Sequence, residues 1–544
     1  MFLVNVWGRL NGAAQKKLGG AGVATAAAIF GFIFSAVTFG TIPPANALPS
    51  FARQTGQPCG TCHTDFPGLT PYGRKFKLLG YTTGGGPYRT TPFRQFPQFK
   101  PDPLDSYANA HDAQSDARKK SALSKDGQSA PGQSDTWVPP ISMMAIVGYT
   151  HTQAPQDPTG SPYKSNDNVV VSPVSLFYGG AITEHIGAFA QVTWNNAPFG
   201  APNQSDPYAT RQVTWDQVDV RYANTAKLAG LDVIYGITAN NNPTVQDPWN
   251  STPAWSFPKA YAVSNVAPSP GAGTLIEGAL AAHVVGAGAY AFINDLLYVE
   301  LSGYQTLNFS TQLKLGPDPF AAPGMIDGIA PYWRVALEPH WGNHWLEFGA
   351  FGMSARINPW NQDSSALDSN GFFQNITYPQ TDRYTDTGFD AQYQYQGANY
   401  WFTLRGTYIH ENQTLDASFG NSPTLVDGAI LAANPTNTLN TFKALASLAY
   451  GNDNRVVLTG QYFDIQGSSD SGLYSNNPGC ACSPNSNGYV FEIAYIPFIS
   501  SQAPVWPWAN MRVGLQYTYY NKFDGDTVFA HDNNTLFGYL WFAM

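Results

Sequence analysis

Charge is the first thing this sequence has little of. Only 12% of its 544 residues are Asp, Glu, Lys or Arg, about half the share of an ordinary globular chain. Cysteine is scarcer still, at four residues. No second Cys or His pair follows the first two cysteines closely, which argues against zinc-site spacing for them. There is no catalytic triad, phosphate loop or metal-hydrolase pattern. Basic excess is missing from the bulk of the chain. Residues 1–47 carry Arg9, Lys16 and Lys17 without an acid, 48–105 carry four more bases than acids, and 106–136 balance. The net −9 therefore leaves about −16 on residues 137–544, which speaks against a nucleic-acid partner for that part. What is present instead is aromatic (14%), rich in glycine, and slightly negative in mean hydropathy. That mixture suits a β-rich chain with one polar and one apolar face. A secreted array of β-sandwiches is the alternative.

The chain divides by composition. Basic residues precede an uncharged stretch from Leu18 to Gly40, and Ala45-Asn46-Ala47 then offers a small-x-small cleavage pattern. Residues 1–47 read as a secretory signal peptide, with an uncleaved anchor as the alternative. Residues 48–105 hold Cys59, Cys62 and His63 in the run "QPCGTCHTDFPGLTPYGRKFKLLGY". Two thiols three positions apart can add to the two vinyl groups of a haem, and the adjacent imidazole can ligate the iron. A structural disulfide leaves His63 unexplained. One covalent haem c is therefore expected, with Cys59 and Cys62 as attachment points and His63 as the metal ligand. Thr70-Pro71 read as the cap and first residue of a helix that stops at Gly80. Tyr72, Phe76 and Leu79 share one face of it, and Arg74, Lys75 and Lys77 are expected to point away. Fewer than 60 residues cannot bury a haem unaided. Residues 106–136 are polar, with hardly any large apolar side chain, and read as a linker.

From residue 137 onward, segments of about ten residues alternate with period two. In Met511–Asn521, Val513, Leu515, Tyr517 and Tyr519 take one face, and Arg512, Gln516 and Thr518 the other. Sixteen such segments lie near 141–152, 169–181, 186–196, 212–223, 230–239, 274–292, 296–306, 331–340, 345–354, 385–396, 400–410, 439–450, 455–465, 488–498, 508–521 and 533–543, with fourteen or eighteen as alternative counts. Links after odd-numbered segments are long (153–168, 240–273, 355–384, 411–438), and those between are brief turns such as "IND" and "WGNH". Long links alternating with short turns, over an even strand total, is the layout of a transmembrane β-barrel of the outer membrane. The expected fold is thus all-β: an antiparallel barrel of about sixteen strands behind a small haem segment. That segment would enter from the end bearing the short turns, drawn by its positive charge towards an acidic lumen.

The haem run resembles the N-terminal signature of the fused monohaem cytochrome–porins of iron(II)-oxidising bacteria. The matching positions are Cys59, Cys62, His63, Phe66, Pro67, Leu69, Thr70, Gly73, Arg74, Phe76 and Lys77. The match covers about thirty residues, and the barrel match is architectural. The linker at 106–136 and the Cys480-Ala-Cys482 loop have no place in that pattern. The resemblance implies an outer-membrane cytochrome that takes electrons from extracellular Fe(II), or another donor, through one haem to a periplasmic cytochrome or copper protein, acting in effect as an iron(II) oxidoreductase. A solute porin whose haem segment serves as a periplasmic plug or sensor is the alternative. A second axial ligand is open among His283, Met143, Met144 and His111. His185, His340 and His344 are expected at the short turns, and His410 and His531 at the far end. Cys480 and Cys482 read as a local disulfide in an outer loop. Asp363 with Asp368, and Glu411 with Asp416, read as solvated loop charge, with attraction of Fe(II) as the alternative.

Overall fold

The computed structural model describes residues 49–55, 57–64, 68–82, 140–156, 164–194, 213–249, 267–317, 319, 322–359, 380–419, 432–451, 455–474, 482–499 and 503–544. The expected signal peptide (1–47), the linker (106–136), His111, Asp363, Asp368 and Cys480 lie outside the described residues.

Three short helices come first: α1 (Pro49–Thr55), α2 (Cys59–Cys62) and α3 (Pro71–Leu78). Sixteen staves then form one closed antiparallel sheet. They are β1 (Ile141–Thr152), β2 (Asn168–Ala181), β3 (Ile186–Trp194), β4 (Val213–Leu228), β5 (Leu231–Asn240), β6 (Val284–Ile293), β7 (Leu297–Thr306), β8 (Ala330–Leu337), β9 (His344–Pro359), β10 (Asp382–Gln396), β11 (Tyr400–Thr414), β12 (Thr436–Tyr450), β13 (Val456–Gly467), β14 (Ser486–Tyr495), β15 (Asn510–Lys522) and β16 (Thr535–Ala543). Two brief strands, Gly324–Ile326 and His340–Trp341, pair with β9 beyond either end of β8. Helix α4 (Phe309–Leu315) lies in the link from β7 to β8. The ring shuts where β1 meets β16, from Met144↔Ala543 to Thr152↔Thr535. Met143 and Met544 exchange backbone hydrogen bonds of 2.7 Å at that seam.

The wall has its polarity turned inside out. In β8, Trp333, Val335 and Leu337 are exposed on the outside, while Tyr332 and Arg334 are buried inside. In β14, Tyr489, Phe491, Ile493 and Tyr495 face out and Glu492 faces in. Side chains alternate across a strand, so a period-two sequence can dress one face for hydrocarbon and the other for charge. A closed ring also leaves no unpaired strand edge, the condition for lying in lipid. The longest links fall at one end and short ones, such as 182–185, 229–230, 294–296 and 397–399, at the other, where 496–509 is the exception in length. The start of β1 and the end of β16 share the short-turn end.

One expected strand is shorter than its pattern. The alternating stretch 274–292 is strand only from Val284. Leu275–Glu277 is instead a 3-10 turn with a Thr274/Glu277 capping box, folded into the lumen. The cause is distant: Leu275 N–H donates to Glu411 on β11 at 2.5 Å, and Ile276 N–H to Asp386 on β10 at 2.8 Å. Glu411 is therefore a buried residue of the inner wall (1% exposed), not loop charge as the sequence suggested.

Candidate cofactor site at the short-turn mouth

Pro58 is extended (φ −66°, ψ 154°), and Cys59-Gly60-Thr61-Cys62 makes a single helical turn behind it. Positions three apart in a helix share a face, so both sulfurs belong to one side. His63 N–H closes the turn on Cys59 O at 3.0 Å. His63 itself is extended (φ −124°, ψ 131°), so the chain leaves the turn at the imidazole. It pairs with Leu69, and Thr70 N–H bonds Cys62 O at 2.9 Å. Thr70 Oγ1 donates to Thr61 O at 2.6 Å and accepts from Gly73 N–H at 3.1 Å. One residue thus caps α3 and fastens it to the cysteine turn. Helix α3 crosses so closely that a Cβ on Gly73 would lie 2.2 Å from Cys62 O. Pro71 occupies the first helical position as expected. The helix ends through Gly80 at φ +68°, with Tyr81 N–H returning to Phe76 O at 3.0 Å, the glycine-terminated form of helix end.

Residues 49–82 lie inside the barrel mouth. Gln54 bridges to β2, donating to Gly179 O at 2.7 Å and accepting from Ala181 N–H at 3.0 Å. Ser50 N–H bonds Ser142 Oγ on β1. Arg53 lies 5.3 Å over the Trp508 ring. Arg74 is paired with Glu338 and donates to Gln394 Oε1 at 2.7 Å. Lys75 meets Asp295 at 2.8 Å, Lys77 donates to Asp247 O at 2.9 Å, and Tyr81 OH reaches Asp219 at 2.5 Å. The expectation of a one-sided helix is corrected here. Phe76 and Leu79 are buried, but so is Arg74 (2% exposed), because the wall surrounds the helix and supplies carboxylates to its cations. Burial, and then the nearby Arg221 charge, brings the Lys77 ammonium down to about 8. On the wall, Gly187 makes room: a Cβ there would lie 2.1 Å from Gly80 O.

Cys59 and Cys62 are free thiols. Burial pushes them up to about 11 and about 12 respectively, which holds both as neutral thiols. Cys59 packs against Trp345, Trp401, Val457, Ala494, Ile496 and Ile499. A pair of free thiols on one side of a turn, an imidazole at its exit and an apolar wall suit a flat, largely apolar macrocycle. The residues therefore fit a covalently held haem.

The open axial-ligand candidates separate. Met143 faces outward and is 42% exposed. Met144 faces inward in a cluster with Phe76 of α3, Ile146, Phe177, Phe537 and Trp541. His283 lies before β6 at the long-link end, buried, with Nδ1 2.7 Å from Gln312 Oε1. The ten residues of β6 separate it from the short-turn end by roughly 30 Å, so it is not within reach of the cysteine turn. His185 and His344 lie at the short-turn rim and His410 and His531 at the opposite end, as expected. Cys482 is disulfide-bonded. The wall residues that hold the segment, Glu338, Asp295 and Asp219, carried no motif; only the acidic excess of residues 137–544 hinted at them.

No family model and no curated protein matches the chain. Among solved structures it is similar to Salmonella typhi OmpF in complex with daunomycin (12% identity, TM-score 0.38, covering 74% of this chain and 97% of that one). It is similar also to Pseudomonas putida OprB (13%, 0.38, 74% and 92%) and to an anion-selective porin from Comamonas acidovorans (10%, 0.38, 74% and 98%). The closed ring of strand pairs and its apolar exterior define this chain as a porin-like β-barrel of the bacterial outer membrane.

Proposed function

We propose that this protein is an outer-membrane c-type cytochrome fused to a porin-like barrel, carrying electrons from an extracellular donor, Fe(II) first among candidates, to periplasmic carriers. The observation that carries this reading is the position of Cys59, Cys62 and His63 inside the mouth of the barrel. Cys59 and Cys62 would hold the haem and His63 would bind its iron, and the bound group would supply one-electron chemistry. The protein's part is placement, shielding and tuning. Trp345, Trp401 and Ile499 keep water from Cys59. The Arg74–Glu338 and Lys75–Asp295 pairs fix the segment to the wall. Short turns of such barrels are periplasmic, so the haem segment faces the periplasmic acceptor, a cytochrome or copper protein. The donor approaches from the long-link side.

The test is a visible spectrum of the purified protein with stopped-flow reduction by Fe(II), beside liposome swelling with small sugars. A c-type spectrum, rapid reduction and no swelling are expected. Swelling without reduction would instead make the chain a solute porin with a haem-bearing plug. A C59A/C62A variant should lose the spectrum yet keep residues 49–82 protected from protease, since none of the docking pairs above uses a cysteine.

A further inference from the structure

The second element inside the lumen is the 267–283 stretch, at the long-link end. Its turn Leu275–Glu277 buries Leu275 and Ile276 against Tyr304, Tyr332, Phe351 and Ile409. The turn itself is held to the wall by the amides of Leu275 and Ile276, which donate to Glu411 and Asp386, while the ends of the stretch are fixed separately, Pro268 O accepting from Tyr520 OH at 2.9 Å and His283 O from Leu307 N–H at 2.9 Å. Those two carboxyls are direct cross-strand partners on β10 and β11, both facing inward and 1–2% exposed. Directly opposed side chains on neighbouring strands have Cβ atoms about 5 Å apart, and two buried carboxylates at that range cannot both ionise.

Among the described residues no cation pairs with either carboxyl. Lys443, the nearest base, is committed to Glu277 at 2.5 Å, which also accepts from Thr441 and Thr274. Gln413 donates to Glu411 at 2.6 Å. Tyr384 on β10 and Tyr474 from the 468–485 link lie near Glu411, and Asp382 is occupied by Ala417 and Ser418. Asp386 Oδ1 is buried with no donor among the described residues. No group of three or more His, Cys, Asp or Glu among them is disposed to hold a metal.

We propose that Asp386 and Glu411 share a single proton, and that this proton latches the Leu275–Glu277 turn of the 267–283 stretch against the wall. With the proton in place the pair carries one charge, and its outer oxygens accept the two amides. When pH rises and the proton leaves, two opposed charges remain in a dry site, and the turn lifts to let water reach them. The latched form binds one proton more than the open form. Latching is therefore strongest with the proton bound and weakens as rising pH removes it.

The experiment is hydrogen exchange of the full-length protein in detergent, from about pH 5 to about pH 9, corrected for intrinsic exchange, with protection expected to fall about tenfold per pH unit through the pair's titration. It follows the amides of Leu275 and Ile276, with Gly316, the C-terminal cap of α4, as a reference that should not share the slope. Glu411→Gln and Asp386→Asn should each flatten the response. Equal wild-type protection across the range overturns the proposal, as does an undiminished slope in both variants. If one variant fails to insert, the other decides. None of these readouts involves haem, so the latch stands or falls separately from the electron-transfer reading.

Discussion

The lumen is entered from both ends, and two of its occupants, residues 49–82 and the Leu275–Glu277 turn, are held to the wall by different means. At the short-turn mouth, the cations Arg74, Lys75 and Lys77 come from the occupant; Glu338 and Asp295 of the barrel pair the first two, and the backbone carbonyl of Asp247 accepts from the third. At the long-link end, the occupant offers two backbone N–H groups, and the wall answers with two carboxyls that have no cation between them. The first arrangement depends on side-chain identity in residues 49–82. The second depends on the charge state of the wall. An acidic lumen therefore serves two purposes, as a receptor for a basic segment and as a titratable latch.

Breaking the comparison at its strongest point means removing Arg74. Arg74→Met leaves Glu338 buried with only the Trp249 indole N–H at 2.8 Å. Breaking one side of such a pair costs about 3–5 kcal/mol, so hydrogen exchange should show residues 71–82 losing most of their protection while 267–283 keeps its own. The double variant R74M/E338L should recover much of that loss. Gly187→Ala comes next. Its Cβ meets a backbone oxygen that cannot give way, and overpacking of this kind costs about 1–3 kcal/mol, again confined to the short-turn occupant. Thr70→Ala removes the α3 cap, at about 1 kcal/mol, read by exchange at Gly73 and Arg74. A finer test uses pH. Lys77 is held at about 8 against its ordinary 10.5. Between those values the undocked segment binds more protons, so docking should tighten as pH rises through that window, opposite in sign to the latch, and Lys77→Met should abolish the trend. The smallest effect belongs to Lys227→Ala. Its partner Asp232 is as exposed as it is, and melting should move by no more than about 0.5 kcal/mol.

Much of this was legible beforehand where the physics is local. Period-two segments located all sixteen staves, because a strand with lipid on one side and charge on the other must alternate. The alternation of long and short links followed from antiparallel connection. Thr70, Pro71 and Gly80 announced the ends of α3 because caps act within one turn. What the sequence hid depends on partners far along the chain. Nothing near Leu275 shows that Asp386 and Glu411 will bend an alternating stretch into a turn. Nothing near Arg74 shows that Glu338 will bury it. The assignment of Glu411 to solvent failed for the same reason: a barrel buries its polar face, so a charged residue on the inward face of a strand, away from the rim, is an interior residue.

The seam between β1 and β16 bears on how such a molecule is put together. Its two staves are the first and last of the sixteen to leave the ribosome, so the hoop cannot be sealed until synthesis has reached residue 543. Residues 49–82 precede them all. This early-made piece either waits to be encircled as the hoop closes or slides in afterwards past the tight bends, and delaying the final clasp would reveal which.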